Sequence, residues 1–466
     1  MRVGSGARAV WEELHDRVRS RLWPLPVAAV VLALIAGLTL PHLDAAMGAS
    51  LPDWLSAAFF GGDAEAARSV LGAVASSLIT VTSLTFSLTV VTLQLASSQF
   101  SPRLLRTFAS DVFVQTTLGV FLGTFIYSLT VLRSVRSSLD DGTEFVPRLS
   151  VTVAFLLTVV SVVLLIVFLA HLSQLIRVER MLRTVRDDAT ETIRNTLPPV
   201  GDGDGGTPIE GDGRAGPPTI PAGAVLPDVP ETAVPLLAPT SGYLLRVDQK
   251  ELLEACVDLD AVCVLDKVTG SSLVEGCPIG WIWALDGQRP GAVTTELRER
   301  LASSIHSGFE RTSVQDIGHG LRQLTDVANK ALSPGINDPT TAMHALGDIS
   351  ALLCEITTRE LRPEVLRDDE GRIRVVLHRP DLADLVEVSI AQPRRYGASD
   401  PQVMQRLYEL LAELAWHCRP GQFDIVRRQL ERLNATVQDQ DFDTVELARF
   451  ERAAETVRWS LTYPHP

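Results

Sequence analysis

The sequence predicts an α-helical membrane protein: a four-span transmembrane bundle followed by an α+β cytoplasmic region with a small β-barrel or sandwich and a helical domain. Three observations favour this class. Long uncharged apolar runs fill residues 1–176, a stretch rich in Gly, Pro and Asp follows, and the rest combines short β-type runs with helical periodicity. At 466 residues, the chain is long enough for a membrane domain and one or two further domains.

Four apolar runs are long enough to cross a bilayer, and they cover residues 24–40, 69–102, 112–132 and 149–170. The second run holds no charged residue over 34 positions. As a straight helix it would be about 50 Å long, so it must tilt, kink or leave the membrane. The basic lead before the first run also fits a signal peptide, but that lead is long and contains acidic residues.

Arginines indicate which ends of the spans face the cytoplasm. Arg103 and Arg106 follow the second span, Arg177 and Arg180 follow the fourth, and five more arginines precede the first. Basic residues in short loops are retained on the cytoplasmic side of a membrane. These residues therefore predict a multi-pass protein of a bacterial inner membrane with both termini in the cytoplasm and the lipid bilayer as its main partner.

The charge balance excludes one large class of partner. The net charge is −14, and residues 1–186 hold more basic than acidic side chains, so the acidic excess lies in residues 187–466. Such a surface repels phosphate backbones, so no nucleic-acid partner is predicted. All five cysteines follow the spans without metal-ligand spacing, and we therefore predict no metal site and no cofactor.

Composition also predicts the domain boundaries. The glycine- and proline-rich letters GDGDGG and GDGRAGPP cannot bury a core and indicate a flexible linker. Short β-type runs follow, broken by Ser-Gly, Thr-Gly and Glu-Gly, and after them the periodicity is mostly helical. The predicted parts are a cytoplasmic amino-terminal segment (1–23), the four-span domain (24–186), the linker (187–232), a small β domain (233–290) and a mainly helical domain (291–466).

The second span carries a polar stripe that we predict to line a pore. At about 100° per residue, the stripe residues fall within a sector of roughly 60° on one helix face. A set of threonines lies on the opposite face. The stripe residues are Ser76, Thr80, Ser83, Ser87, Gln94 and Ser98.

Two interpretations of the stripe remain open. Its hydroxyl groups could line a water-filled path, or they could bond their own helix backbone and merely allow close packing. Exposed to lipid, the stripe would be poorly solvated, which favours a homo-oligomer. The leading hypothesis is therefore an oligomeric channel or pore-like transport protein with a cytoplasmic assembly or gating domain. The alternative is a membrane-anchored sensor or scaffold that binds a ligand or protein.

The segment from Gly308 to Ala342 is the densest polar region after the spans, and it supplies a possible ligand site. Asp316 and His319 recur with Gln323, Asp326 and Lys330 at helical spacing, which brings ionisable groups together or forms a solvated face. The motifs HExxH, GxSxG and GxxxxGK[ST] are absent, which disfavours an enzyme. The candidate ligand-site residues are Glu310, Arg311, Asp316, His319, Asn337 and Asp338.

Two stretches give the chain a family resemblance. SSQFSPRLLRTFASD, residues 97–111, and ERTSVQDIGHGLRQLTDVANKALSPGINDPTTA, residues 310–342, resemble a family of predicted bacterial membrane proteins known as a domain of unknown function, DUF2254. The resemblance implies an inner-membrane location and four spans with a cytoplasmic domain, but no established activity. The rhythm of the β region is similar to biotinyl- and lipoyl-type barrels, although the lysine that those domains modify is not evident.

Overall fold

The computed structural model forms two compact units, Met1–Arg177 and Val178–Pro466, and each is described by itself. The side chains of residues 47, 95–99, 173 and 175 are not described. The residues that the structure describes are 23–47, 60–99, 111–136, 145–175, 177–200, 226–285 and 300–463.

The first unit contains four long helices, which confirms the predicted spans. Each is apolar and long enough to cross a membrane. Helix α2 has 36 residues, so it is longer than a bilayer's hydrocarbon core is thick. The helices are α1 (Pro24–Met47), α2 (Ala64–Gln99), α3 (Val112–Ser134) and α4 (Arg148–Leu175).

Small residues let α1 and α3 approach each other closely. A Cβ atom added at Gly37 of α1 would lie 2.8 Å from the Cβ of Thr130 on α3. On α3, a Cβ added at Gly119 would lie 3.2 Å from the Cβ of Ala29 on α1. A Cβ added at Gly123 would lie 3.4 Å from the carbonyl oxygen of the same residue. Between membrane helices the hydrophobic effect gives no driving force, so the van der Waals packing that such a close backbone approach allows stabilises the pair instead.

Two aspartates satisfy amide groups at the starts of membrane helices. Asp44, near the end of α1, accepts hydrogen bonds from the backbone N–H groups of Leu149 (3.0 Å) and Ser150 (2.9 Å) in the first turn of α4. Asp111 caps α3 by accepting from the N–H groups of Phe113 and Val114. The first turn of a helix leaves these donors without intrahelical partners, so both carboxylates stabilise helix starts.

The second unit contains two β-sheets. The larger sheet has the order β1-β5-β3-β8-β7, in which β3 and β8 are parallel and the other neighbours antiparallel. The smaller sheet has the order β4-β2-β6 and is antiparallel. The strands are β1 (Val234–Leu237), β2 (Gly242–Val247), β3 (Ala261–Leu265), β4 (Ser272–Leu273), β5 (Pro278–Ala284), β6 (Ile305–Gly308), β7 (Glu364–Arg367) and β8 (Ile373–Leu377).

The predicted small β-barrel is wrong, because neither sheet closes within the described residues. Strands β7 and β8 come from the region predicted to be mainly helical, and β8 pairs with the central strand β3. Strand β3 is buried along its whole length, so its AVCVL run is the centre of a sheet that is assembled from distant segments. Local turn signals predicted strands there, but they carried no information about a partner more than 100 residues away.

Eight α-helices of ten or more residues lie in the described part of the second unit, together with a short 3-10 helix, Pro420–Gln422, and a helical turn at 300–303. Its first helix, α5, buries Met181, Leu182, Val185, Ala189 and Ile193, and it continues past residue 187, where the linker was predicted to begin. Residues 201–225 of that predicted linker lie outside the described residues. The helices are α5 (Val178–Thr196), α6 (Gln249–Asp258), α7 (Gly318–Ala331), α8 (Pro339–Thr357), α9 (Leu382–Tyr396), α10 (Pro401–His417), α11 (Phe423–Gln438) and α12 (Thr444–Ser460).

Candidate functional site

The polar stripe on α2 lies on the exposed side of that helix. The stripe residues with described side chains, namely Ser76, Thr80, Ser83, Ser87 and Gln94, are all exposed in the single chain. The threonines on the opposite face are all buried, at 2–7% exposure; they are Thr82, Thr85, Thr89 and Thr92. The two polar faces that the sequence distinguishes therefore have opposite environments.

Most described stripe hydroxyls donate to their own helix. Ser76 donates to the carbonyl of Ala73 (3.1 Å), Thr80 to that of Ser76 (2.9 Å) and Ser83 to that of Ile79 (2.9 Å). These bonds satisfy the hydroxyl hydrogen without help from another subunit, as the packing interpretation requires. Each hydroxyl oxygen still has lone pairs that can accept from water or contact a cation.

The stripe is long enough to cross most of a bilayer and has apolar borders. From Ser76 to Gln94 the helix rises about 27 Å, close to the thickness of the hydrocarbon core. Exposed apolar side chains flank the stripe on both sides: Ile79, Phe86 and Val90 on one, Leu84 and Val91 on the other. A narrow hydroxyl-bearing band between apolar flanks is suited to a helix that faces water along one line and apolar neighbours elsewhere.

The remaining membrane positions are only partly described. The backbone of Ser98 belongs to α2, but its side chain is not described. Arg103 and Arg106 lie outside the described residues. Arg177 and Arg180 are both exposed. The predicted interfacial role of these arginines therefore stays a prediction.

A histidine–aspartate pair joins α3 and α4. The His171 Nε2 atom lies 2.7 Å from Oδ2 of Asp111, and the His171 ring packs against Phe113 at 4.8 Å between centroids. His171 lies directly after the fourth predicted span, residues 149–170. Its partner was detectable as the acidic residue directly before the third span, where helix caps occur.

In the carboxy-terminal unit, two of the predicted ligand-site residues form a buried ion pair. Arg311 contacts Oδ2 of Asp316 through Nη2 (2.6 Å) and Nε (2.7 Å), and Asp316 Oδ1 accepts from the N–H of Gly318 (3.1 Å). Burial raises the pKa of Asp316, and the guanidinium and the amide offset part of that rise. Gly270, at φ +82°, packs directly against the pair.

The other predicted ligand-site residues do not join that pair into one site. Helix α7 begins only at Gly318, so Asp316 precedes the helix. Asp316 is also only 3% exposed, so it does not belong to the solvated helical face that was one interpretation of its spacing. Asp338 caps α8, accepting from the N–H and hydroxyl of Thr341, which hold its pKa below the ordinary value. His319 is half-buried, while Glu310 and Asn337 are exposed.

Sequence reasoning missed a cavity of about 540 Å³ at the edge of the larger sheet. Leu265, the last residue of β3, and Lys267 line it, and so do His378 and Arg379, which directly follow β8. Because β3 and β8 are parallel, their carboxyl ends meet at one edge, which is the usual position of ligand sites in open α/β sheets. The end of α5 and the side chains of Val314, Gln315 and Ile317 also line it.

Glu364 and Arg379 are buried charged side chains of this cavity, each 7% exposed. The Oε2 atom of Glu364 accepts from Nε2 of Gln249 (3.0 Å) and lies 3.4 Å from Nη2 of Arg379. Its Oε1 atom is buried and has no hydrogen-bond partner among the described residues. Burial raises the pKa of Glu364, and the charge of Arg379 opposes the rise. No local motif marks Glu364, because its partner Gln249 lies more than 100 residues away in the sequence.

Metal binding has no visible centre in the described part of the chain. There, no group of three or more His, Cys, Asp or Glu side chains is placed to hold an ion. A role of Asp316 as a general acid or base also lacks support, because both oxygens of its carboxylate are engaged by Arg311 and Gly318. In the described part of the chain, the two features that best fit a functional site are the exposed stripe on α2 and the cavity beside Glu364.

The four apolar helices and the mixed helix and sheet unit that follows define this molecule as a multi-span membrane protein with a large extramembrane part. The chain belongs to the family described as predicted membrane protein (DUF2254), which matches residues 19–413. This confirms the resemblance that the two sequence stretches indicated.

Similar proteins occur in mycobacteria. The chain is 37% identical over 403 residues to an uncharacterised protein of Mycobacterium tuberculosis and to one of Mycobacterium bovis. Each alignment covers 86% of this chain and 73% of the relative. No solved structure shows significant similarity to the chain.

Proposed function

We propose that this protein is an oligomeric channel or pore-like transport protein of the bacterial inner membrane, in which α2 of each subunit turns its polar stripe towards a shared path. The observation that carries this proposal is the division of α2 into an exposed polar stripe and a buried threonine face. Lipid tails offer no partners to the stripe oxygens, whereas a water-filled path does. The carboxy-terminal unit, with both chain termini in the cytoplasm, assembles or gates this path.

Ion flux into liposomes tests the proposal. Replacing Ser83 with Leu adds apolar bulk to the stripe, so we expect flux to fall by about tenfold or more. Ser77→Leu is the matched control, because Ser77 is also exposed on α2 but lies about 100° from Ser76 around the helix. Equal flux in wild type and Ser83→Leu would remove the stripe from the mechanism. A silent wild type across several ions and both voltage signs would contradict a pore.

Cysteine accessibility tests the oligomer separately. The spans contain no cysteine, and Cys277 is the exposed one among the five, so Cys277→Ser gives a suitable background. We expect Ser83→Cys to react with a membrane-impermeant thiol reagent and to form disulfide-linked dimers. Ser77→Cys should do neither. If both cysteines resist the aqueous reagent and neither forms dimers, α2 faces lipid and the shared path is wrong.

A membrane-anchored sensor is the second candidate, and the cavity beside Glu364 favours it. In this case the spans tether a ligand-binding unit, and the stripe only supports helix packing. The two candidates predict different results in liposomes, because a sensor conducts nothing while it still binds its ligand. A protein that conducts and also binds a ligand would be a gated channel.

A further inference from the structure

The cavity at the carboxyl ends of β3 and β8 has the size and construction of a ligand site. Its volume of about 540 Å³ lies within the range of roughly 300–1,000 Å³ that small-molecule sites occupy. Apolar side chains such as Leu265, Ile317 and Leu377 form part of its wall, and a few polar groups interrupt them. Most small-molecule sites combine an apolar wall with a few polar groups in this way.

The buried Oε1 atom of Glu364 indicates what the cavity lacks. A buried acceptor without a partner is destabilising, and more so when it is charged. The partners of this carboxyl group contact only Oε2, because Gln249 and Arg379 both lie on that side. A rotation of the Glu364 side chain would bring Oε1 to the cavity surface, where an N–H or O–H donor of a ligand would supply the hydrogen bond that the described residues leave unmade.

The cavity wall is also more basic than the rest of the unit. Lys267 and Arg379 oppose the single carboxylate of Glu364, and the His378 ring lines the same cavity. Arg379 is held in place by the carbonyls of Glu360 (3.0 Å) and Thr196 (3.2 Å). Lys267 is exposed and is one of three lysines among 42 basic residues. A basic wall in a chain of net charge −14 favours a ligand with an anionic group.

We propose that this cavity binds a small organic anion that also carries an N–H or O–H donor. Glu364 Oε1 accepts a hydrogen bond from the donor, and Lys267 and His378 contact the anionic group. A phosphate or a carboxylate meets the second requirement equally well, so nucleotides and sugar phosphates form one group of ligands, and amino and hydroxy acids the other. The proposal concerns the carboxy-terminal unit alone, so it stands or fails independently of conduction by the spans.

Calorimetric titration of the full chain in nanodiscs tests this proposal. One arm uses AMP, GMP and glucose 6-phosphate, and the other uses L-glutamate and L-malate. Inorganic phosphate serves as an anion without an organic donor, and adenosine as a donor without an anion. We expect a compound of one arm to bind, and both controls to bind at least tenfold more weakly.

Variants identify the site. Glu364→Gln and Lys267→Met should each weaken binding by tenfold or more, while Lys330→Met, an exposed lysine of α7 that does not line the cavity, should leave it unchanged. Lys267 is exposed, so its variant keeps the test valid if Glu364→Gln fails to fold. No binding in either arm up to millimolar concentration would overturn the proposal. Binding that survives both substitutions, or binding of inorganic phosphate as tight as that of any organic anion, would do the same.

Discussion

Single residues in this protein have roles that their sequence neighbours do not reveal. Asp44 binds the first turn of a helix that begins about 100 residues later, and Gly270 packs against the ion pair of Arg311 and Asp316. Both are small features in sequence, an acidic residue near a span and a glycine in a turn. Their environments arise only when distant segments meet.

Gly270 provides a prediction at this scale. A side chain there would overlap Asp316 Oδ2 and Arg311 Nη2, and the φ of +82° also disfavours any residue with a Cβ. We expect Gly270→Ala to lower the free energy of unfolding by about 2–4 kcal/mol, from backbone strain and overpacking together. Thermal or denaturant unfolding of the full chain in detergent measures this loss.

Gly276→Ala is the matched control for that substitution. Gly276 has a similar φ of +76°, but in the described part of the chain no heavy atom other than those of its own chain neighbours lies within 4 Å of the position that its Cβ would take. We therefore expect a loss of only about 1 kcal/mol, from the backbone alone. Equal losses in the two variants would show that crowding against the ion pair has no energetic weight.

Among the elements, α3 organises the membrane bundle because it contacts α1, α2 and α4. Its contact with α1 relies on glycines and alanines that no apolar-run analysis distinguishes from other small residues. The apolar runs predicted the four spans, since about 20 uncharged apolar residues in a row are enough to indicate a membrane helix. They did not indicate which spans are neighbours, because lipid-facing and helix-facing positions are both apolar.

Gly37 tests the α1–α3 contact. Its added Cβ would lie 2.8 Å from the Cβ of Thr130, so α1 and α3 must move apart in Gly37→Ala, at a cost of about 1–3 kcal/mol. In α2, Gly72→Ala meets no heavy atom within 4 Å and should leave stability unchanged or slightly raised. The midpoint of thermal unfolding in detergent compares the two. A lower midpoint for Gly72→Ala than for Gly37→Ala would contradict this packing.

On the scale of the whole molecule, α5 belongs to the carboxy-terminal unit and is not merely a continuation of the fourth span. Its apolar face packs on α7 and α8. Arg186 also pairs with Asp348 (2.8 Å), and Arg194 pairs with Glu355 (3.0 Å). Two arginines of α5 thus hold the second unit together through ion pairs to α8.

Truncation tests this assignment. We expect a fragment of residues 178–466 to be soluble and to unfold cooperatively. A fragment of residues 197–466 lacks α5 and the four large side chains that α5 buries, each worth roughly 1.5–3 kcal/mol. Their sum is comparable with the roughly 5–15 kcal/mol that stabilises a domain, so we expect this fragment to aggregate. Circular dichroism and size-exclusion chromatography compare the two, and equal behaviour would contradict the assignment of α5.

The sequence by itself determined the membrane class, the four spans, the polar stripe on α2 and the family, because apolar length and helical periodicity are local properties of the chain. Only the tertiary structure decided that the stripe is exposed in the single chain, that β3 pairs with β8 in an open sheet, and that Glu364 lies in a cavity. These features depend on contacts between residues that are up to about 180 positions apart. Burial and partnership arise from such contacts, and a pattern read along one segment cannot contain them.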